Sequence, residues 1–256
     1  MINYHVFVPS ATRASGACQV AESLSELLKG ERPGESYSRM MRRRLAGDAA
    51  AFADDTYFLA DDDGRCVSRL WHGWGRHADA IGNFGNFRTA DAWRGQGIGA
   101  TLLEMWHADL ESRPADQRPL AFFCTSAHSM IERHYGKYGF RECFGENGGP
   151  TFLPLGNSPT SFESFCESYY APCGEVRFVE GDVGWRHEID CLLKFRCMAR
   201  GEPFGLPSVP SYEEAWLRVR EQPGCGKLEC AVNGRGHAVG WAFTPAGGVR
   251  EEQIVS

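Results

Sequence analysis

The chain has 256 residues, a formal net charge of −6, and 43% hydrophobic and 23% charged residues. This is the composition of a globular protein with one large domain or two small ones. The acidic balance argues against broad nucleic-acid binding. The chain has no run of about 20 apolar residues, the length that a membrane helix needs. The first residues lack the basic segment and apolar core of a signal peptide. We therefore expect a cytoplasmic protein with neither a nucleic-acid nor a membrane partner.

The predicted elements of the first half include both strands and helices. Apolar residues alternate in some segments, as in strands, and recur every three or four residues in others, as in helices. The order is β-α-α-β-β-β-α-β-α-β-β, and an acidic turn at 61–64 joins the second and third strands in a hairpin. Strands are predicted at 4–9, 56–60, 65–74, 81–89, 119–125, 140–144 and 151–155, and helices at 14–29, 36–52, from the glycines of residues 95–99 to about 111, and 129–138.

The most informative segment contains three glycines behind an arginine: Arg94, Gly95, Gly97 and Gly99. The apolar residues that follow have helical spacing, so the glycines form a turn that opens a helix. The first N–H groups of a helix are unpaired, and with the helix dipole they bind phosphate. Glycines let the anion approach the backbone closely because they lack a Cβ atom. The pattern therefore predicts a site for a phosphate or pyrophosphate.

Three kinds of glycine-rich phosphate loop compete for this segment. A P-loop requires a lysine that is missing here. A dinucleotide fingerprint requires Gly-x-Gly-x-x-Gly within a βαβ unit, and neither the spacing nor the unit is found. The pattern Arg-x-x-Gly-x-Gly does fit, with Arg94, Gly97 and Gly99. It resembles the acetyl-CoA pyrophosphate loop of the GNAT superfamily of N-acetyltransferases.

A second segment carries the same resemblance. Tyr135 to Phe140 is similar to the Tyr-x-x-x-Gly-Phe segment that this family has between its last helix and the next strand. The resemblance covers residues 1–157 and implies an acetyl-CoA-binding catalytic domain of the α/β (α+β) class. Its sheet would be mixed, mostly antiparallel and flanked by helices. The residue seven positions before Tyr135 is often asparagine in the family; in this chain it is His128.

The resemblance also implies roles for individual residues. The strand end at Phe87, Arg88 and Thr89 would pair with the pantetheine amides, and a backbone N–H near Arg88 would stabilise the thioester oxyanion. His128 would contact the cofactor, and Tyr135 would protonate the departing thiolate, with a packing role as the alternative. The cradle for the pyrophosphate would consist of Arg94, Gly95, Gln96, Gly97, Ile98, Gly99 and Ala100.

The general base is left open by the sequence. Many family members have a carboxylate on the strand before the loop, and strand 81–89 has none. Asp79 lies just upstream, and His72 and His77 lie near the end of the preceding strand, where each is expected to be an exposed turn residue. A water chain through Asn83 or Asn86 is an equal alternative.

Ten cysteines stand in the chain, and they bear on the question of a metal site. None forms Cys-x-x-Cys, and the closest pairs are Cys191 with Cys197 and Cys225 with Cys230. Zinc sites have tighter spacing, and disulfides are rare in proteins without a secretion signal. We expect reduced, mostly buried thiols and no metal.

The C-terminal residues 158–256 are interpreted as a smaller α+β half-domain. A strand from 175, a helix at 185–199, a helix at 212–220 and a hairpin around Asn233 and Gly234 repeat the order of the first half. They suggest a degenerate half-copy of the first domain that stops near its third strand; an unrelated α+β extension is the alternative. We expect this part to pack against the first domain or a second subunit.

The function expected from the resemblance is transfer of an acetyl group from acetyl-CoA to a primary amine of a small molecule or peptide. A non-catalytic acyl-CoA-binding or regulatory module is the alternative, because strand 81–89 lacks a carboxylate. The acidic balance mildly favours a cationic acceptor. A homodimer is left open.

Overall fold

The computed structural model describes residues 1–9, 23–24, 36–144, 149–200, 210–248 and 251–254. The helix expected at 14–29 therefore lies outside the described residues, apart from the helical residues 23 and 24. The described strands form a seven-stranded and a four-stranded sheet. Their bounds are β1 Ile2–Phe7, β2 Ala53–Asp62, β3 Arg65–Gly75, β4 Ile81–Thr89, β5 Ala121–Ser126, β6 Arg141–Glu142, β7 Gly149–Pro154, β8 Arg177–Glu180, β9 Gly226–Val232, β10 Ala238–Pro245 and β11 Glu251–Ile254.

The large sheet has the strand order β1-β2-β3-β4-β5-β7-β6. Strands β4 and β5 run parallel, and the other described neighbours are antiparallel. The helix between β4 and β5 is the crossover that a parallel pair requires. This confirms the expected fold class, a mixed and mostly antiparallel sheet with flanking helices.

Five regular helices accompany the strands in the described part of the chain. The first is shorter than the helix expected at 36–52, because the chain turns after Leu45 and Gly47 has a φ of 90°. A left-handed conformation of this kind favours glycine and ends a helix. Helix bounds are α1 Ser36–Leu45, α2 Ile98–Ser112, α3 Phe162–Tyr169, α4 Arg186–Arg200 and α5 Pro210–Glu221.

Helix α2 packs on one face of the large sheet. Its apolar side points inward at helical spacing, with Leu102, Leu103 and Trp106 fully buried against Phe58 and Phe84 of the sheet. Each such leucine contributes about 2–5 kcal/mol, judged from the cost of truncating buried leucines to alanine. This packing fixes the position of the helix start relative to the end of β4.

The segment expected as a regular helix at 129–138 is irregular. A helical turn at His128–Met130 leads into a π-helical turn at Ile131–Tyr135 and a 3-10 turn at Gly136–Tyr138. The strand expected at 140–144 is reduced to β6. Gly139, between the 3-10 turn and β6, has a φ of 94°, which a residue with a side chain would rarely adopt.

The C-terminal sheet is antiparallel throughout, in the order β11-β10-β9-β8. The expected hairpin around Asn233 is confirmed, and its turn is closed by a hydrogen bond from the Asn233 N–H to the His237 carbonyl. A stop near the third strand was wrong, because β11 adds a fourth. Helix α3 was not predicted. Its buried residues Phe162 and Phe165 cover β5 and β7.

The face of the large sheet opposite α2 shares one core with the C-terminal residues. Tyr57 and Trp71 of the sheet belong to the same buried cluster as Trp216 and Trp241. This agrees with the expectation that the C-terminal part packs against the first part.

Polar contacts also cross between the two sheets. Glu188 in α4 is fully buried; one carboxylate oxygen contacts the ring of His77, and the other accepts the Ala238 N–H at 2.9 Å. The ring of His77 stacks on that of Trp185 with 3.8 Å between centroids. Since a buried carboxylate must be hydrogen-bonded, these contacts hold the β3–β4 turn to α4 and β10.

Candidate functional site

The strands β4 and β5 diverge and open a cleft within the large sheet. Their ladder consists of Ile81 with Ala121 and Gly82 with Phe122. At the next position the Asn83 side-chain amide donates to the Phe123 carbonyl at 2.7 Å. Beyond this bridge the strands separate toward their carboxyl ends. An extended molecule can therefore add to the inner edge of β4 by backbone hydrogen bonding.

A β-bulge interrupts β4 within this cleft. The register shifts between the pairs Trp71 with Gly85 and Arg69 with Arg88, and Asn86 has a φ of 51°. Its side-chain oxygen accepts from Arg69 Nε at 3.1 Å. Bulges bend a strand and redirect its groups, so residues 86 and 87 leave the regular ladder beside the expected cofactor contacts.

The glycine turn lies at the open end of the cleft. Gly95 and Gly97 have φ values of 76° and 78°, and Gly97 is the N-cap of α2 without a capping side chain among the described residues. No described heavy atom lies within 4 Å of where a Cβ of either glycine would stand. The space beside both glycines is thus open, and no described side chain caps the first N–H groups of α2, which fits a phosphate site.

Gly99 has a different environment from the one expected. A Cβ there would lie 2.9 Å from Phe87 Cζ and 3.4 Å from Thr89 Oγ1. Its bare backbone therefore admits the Phe87 ring, and its contact with the anion stays a prediction. The close packing holds the helix start against the end of β4.

The remaining residues of the turn differ in exposure. Ile98 is buried in the core under α2, while Ala100 is half-buried. Gln96 donates to the Ala92 carbonyl at 3.3 Å. Arg94 is exposed, donates to the Thr89 carbonyl at 3.2 Å and forms an ion pair with Asp91 at 2.8 Å. The guanidinium thus stands at the surface beside the unpaired N–H groups.

Tyr135 lies where the irregular helical segment meets the cleft. It is 5% exposed, and its ring contacts Phe84, Phe87 and Phe140 with centroid distances of 5.1, 6.2 and 5.8 Å. Burial raises the pKa of its phenol well above the ordinary value, against the effect of a hydrogen bond with Ser126. The phenol therefore stays protonated at neutral pH and can donate a hydrogen bond.

His128 begins the same segment and is partly exposed. Its Nδ1 lies 3.0 Å from Glu142 Oε1 and its Nε2 lies 3.3 Å from Glu132 Oε1. The hydrogen bond to Glu142 raises the pKa of the imidazole, and the charge of Glu132 adds to the effect. The described side-chain contacts of His128 are thus with carboxylates.

None of the open candidates for a general base stands free in the cleft among the described residues. His72 is fully buried within β3, which corrects its expected place in an exposed turn, and burial lowers the pKa of its ring well below the ordinary value. His77 contacts Glu188, and Asp79 is exposed in the turn between β3 and β4, as expected. The Asn83 and Asn86 side chains bond to Phe123 and Arg69.

Sequence reasoning missed a group of arginines beside the bulge. Arg65, Arg69 and Arg88 line one pocket with Ser23 and residues 90–93. The sequence does place Arg88 in the expected cofactor strand and Arg69 in the predicted hairpin. Their pairing could not be predicted, because it depends on a strand register that the bulge shifts.

The described residues hold no group of three or more metal-ligating side chains, and none of their helices is long and apolar enough to cross a membrane. The nine cysteines within this part of the chain are free thiols.

Neither a family model nor a curated protein sequence matches this chain. Solved structures do. An acyl-CoA N-acyltransferase from Pseudomonas aeruginosa is 17% identical with a TM-score of 0.41, and Escherichia coli ElaA is 14% identical with a TM-score of 0.43; each comparison covers 60% of this chain and 99% of the other. A GNAT family acetyltransferase from Brucella melitensis, solved in complex with acetyl-CoA, is 15% identical with a TM-score of 0.41, over 62% and 92% of the two chains.

Identities at this level concern the fold alone. The fold expected from the two sequence segments is the one observed in the strand order of this chain, and many of the solved structures to which it is similar are acetyltransferases of the GNAT family.

Proposed function

We propose that this protein transfers an acetyl group from acetyl-CoA to a primary amine of a small molecule or peptide. The observation that carries the proposal is the position of the uncapped start of α2, which stands at the open end of the cleft between β4 and β5. A helix start binds a phosphate, and a free strand edge beside it binds an extended amide-containing arm. Acetyl-CoA joins both parts in one molecule.

The residues around the cleft fit such a ligand. Arg94 and the N–H groups from Gly95 to Ala100 would hold the pyrophosphate, with the open space at Gly95 and Gly97 as the cradle. The backbone of Phe87, Arg88 and Thr89 would pair with the pantetheine amides. His128 at the far side of the cleft is kept as a proposed cofactor contact.

The chemistry follows from the groups at hand. The neutral amine attacks the thioester carbonyl, the carbon–sulfur bond breaks, and the sulfur leaves as a thiolate. A backbone N–H near Arg88 would stabilise the oxyanion, and the Tyr135 phenol would give its proton to the thiolate. Because β4 carries no carboxylate, the amine proton would leave to water, and kcat/KM would rise with pH toward the pKa of the acceptor amine.

The test is thiol release from acetyl-CoA in the presence of a panel of primary amines, with calorimetric titration of acetyl-CoA in parallel. We expect binding, and turnover on at least one class of amine. The missing carboxylate on β4 favours one alternative, a non-catalytic acyl-CoA-binding or regulatory module. Tight binding without turnover on any amine would support that alternative, and absence of binding would overturn both.

We further propose that residues 1–157 form the catalytic domain and residues 158–256 a degenerate half-copy of it. The support is the element order: a strand, a helical segment and three antiparallel strands occur in both parts. On this proposal the second part contributes no cofactor contact and acts as a cover for the first.

A further inference from the structure

Helix α4 of the C-terminal part crosses the cleft on the sheet face opposite α2. At one end the His187 ring lies 5.7 Å from the ring of Trp71 in β3. At the other end Lys194 Nζ lies 5.6 Å from the centroid of the Phe123 ring in β5. The helix rises about 10 Å between these residues, close to two strand spacings, and it contacts β4 on the way. Asp190, which lies between them on the same helix face, therefore stands over β4.

This inward face of α4 is polar where a helix packed on a sheet is normally apolar. His187 is 1% exposed and Asp190 is 8% exposed, while Lys194 is half-buried. Among the described residues, the Asp190 carboxylate has one hydrogen bond, which Lys194 Nζ donates to Oδ1 at 2.6 Å. The Nε2 atom of His187 is buried and has none. Buried polar groups that are incompletely satisfied cost stability, and they are typical of sites that act on a ligand.

The space between α4 and β4 is open at one point. Ile81, Asn83 and Gly85 alternate on one face of β4, and Ile81 shares a buried cluster with Cys191 of α4. Asn83 Oδ1, at 4.0 Å, is the one described heavy atom within 4 Å of where a Gly85 Cβ would stand. This opening adjoins the bond from Asn83 to the Phe123 carbonyl, beyond which the strands separate. A small group on the α4 side can therefore reach the cleft where the proposed thioester would lie.

Lys194 indicates what kind of group this environment binds. Its ammonium contacts the carboxylate of Asp190 and lies over the ring of Phe123. A carboxylate and an aromatic face are two groups that attract a primary ammonium ion. An alkylamine acceptor is the same chemical group, because it is protonated at neutral pH as lysine is. The second oxygen of the carboxylate, Oδ2, has no hydrogen bond within the described part of the chain.

We propose that the acceptor binds on the α4 side of the cleft, with its ammonium on Asp190 above Gly85. The inference rests on the proposed acetyl transfer and deepens it, because it assigns recognition of the acceptor to the C-terminal part. It narrows the acceptor to an alkylamine that is protonated at neutral pH. The bound ammonium loses a proton to water, and the neutral amine then attacks the thioester carbonyl while Asp190 stays ionised. Lys194 shares the carboxylate, so its charge opposes binding of the second ammonium.

The experiment compares alkylamines with arylamines of similar size, benzylamine and aniline among them. Benzylamine is protonated at pH 7, whereas aniline is neutral. Asp190→Asn keeps the shape of the side chain and removes its charge. We expect kcat/KM for benzylamine to fall at least about tenfold in this variant, mainly through KM, equivalent to about 1.4 kcal/mol. The kcat/KM for aniline and the Kd of acetyl-CoA should each change by less than about threefold, below 0.7 kcal/mol.

A second variant, Lys194→Met, separates recognition from support of the fold. If the ion pair only stabilised α4, loss of either partner would impair the enzyme in the same way. On the proposal the two variants differ in sign: Lys194→Met removes a competing ammonium, so the KM for benzylamine should fall about threefold or more. A KM for benzylamine that rises in both variants, or that Asp190→Asn leaves unchanged, would overturn the proposal.

The matched control is Asp109→Asn in α2, on the other face of the sheet. Its carboxylate forms the corresponding pair one helical turn apart, with Arg113 Nε at 2.9 Å. This variant should keep the wild-type KM for both amines. An equal rise in KM for benzylamine in Asp109→Asn and Asp190→Asn would also overturn the proposal, because the effect would then not depend on the side of the sheet.

Failure of the proposed function gives a different result. If no amine is acetylated, calorimetric titration of benzylamine and aniline into the protein with CoA still measures the site. Binding of benzylamine that Asp190→Asn weakens and Asp109→Asn retains would support the ammonium site while the transferase activity fails. Equal or absent binding of the two amines would overturn the ammonium site as well.

Discussion

The two sheets of this protein begin alike and end differently. In each, a first strand is followed by a helical segment and then by three antiparallel strands, β2 to β4 in one and β9 to β11 in the other. After β4 the chain makes the glycine turn, α2 and the parallel strand β5. The second sheet has antiparallel hairpin pairings alone among its described strands.

The shared order of elements does not indicate which sheet contains the cleft and which one packs against it. The elements after the fourth strand do. The cleft exists because a parallel strand enters beside β4 and then diverges from it, and the uncapped helix start comes from the same crossover. The second sheet lacks the crossover and buries its apolar face against the first. The proposed binding site thus lies in the segment after the fourth strand, and the part common to both sheets forms the framework.

The largest effect is expected from removing the second sheet. Truncation after residue 157 would expose Tyr57 and Trp71, which now share a core with Trp216 and Trp241. Burial of such side chains contributes about 1.5–3 kcal/mol each, so we expect the fragment to be largely insoluble. The soluble yield and the circular dichroism spectrum of the fragment measure this effect. A folded fragment with full acetyl-CoA affinity would show that the second sheet is no cover.

One glycine from each region tests where the anion binds. Gly97→Val places a branched side chain at a φ of 78° before α2, and we expect the Kd of acetyl-CoA to rise about 100-fold or more, close to 2.7 kcal/mol. Gly224→Val is the matched control, since Gly224 is exposed in the second region, has a φ of 88° and is also free of described neighbours. Equal losses of affinity in both variants would contradict the assignment.

Two tyrosines sharpen the comparison further. Tyr135→Phe removes the proposed proton donor, and kcat should fall about 100-fold with little change in acetyl-CoA affinity. Tyr212→Phe removes a hydroxyl that donates to the Asp182 carbonyl at 2.6 Å in the second region. That variant should lose about 1 kcal/mol of stability and keep kcat. Wild-type kcat in Tyr135→Phe would assign this residue to packing.

The smallest effect concerns pH and the contact between the regions. Burial raises the pKa of Asp182 to about 6, against a hydrogen bond from the Gly184 N–H and the charge of His77. The fold thus favours the protonated acid, and its contribution is full below pH 4 and lost as pH rises through 6. Asp182→Asn should therefore gain about 1–2 kcal/mol relative to the wild type at pH 7 and little at pH 4.

Urea denaturation at the two pH values measures this difference. Asp182→Ala is the companion variant, since it removes the acceptor for Gly184 as well as the charge. A relative stability of Asp182→Asn that is the same at both pH values would contradict the raised pKa.

What the sequence could predict depended on local patterns. The bounds of β4 follow from the alternation of its residues. The glycine turn follows from Gly95 and Gly97, whose positive φ values favour glycine. The bulge at Asn86 and the neighbourhood of Arg65 and Arg69 depend on strand register. The burial of His72 depends on Phe58, Trp74 and Phe122, which come from three different strands. Contacts of that kind have no local signature.

The amide of Asn83 has a consequence for the direction in which the cleft is entered. By bonding to the Phe123 carbonyl it replaces the ladder bond that two diverging strands can no longer make. The cleft consequently has a blind end at Asn83 and a mouth beside Gly97. The proposed acetyl-CoA would therefore lie with its pantetheine arm in the cleft and its pyrophosphate at the mouth. One side-chain amide would thus set the direction of the bound molecule.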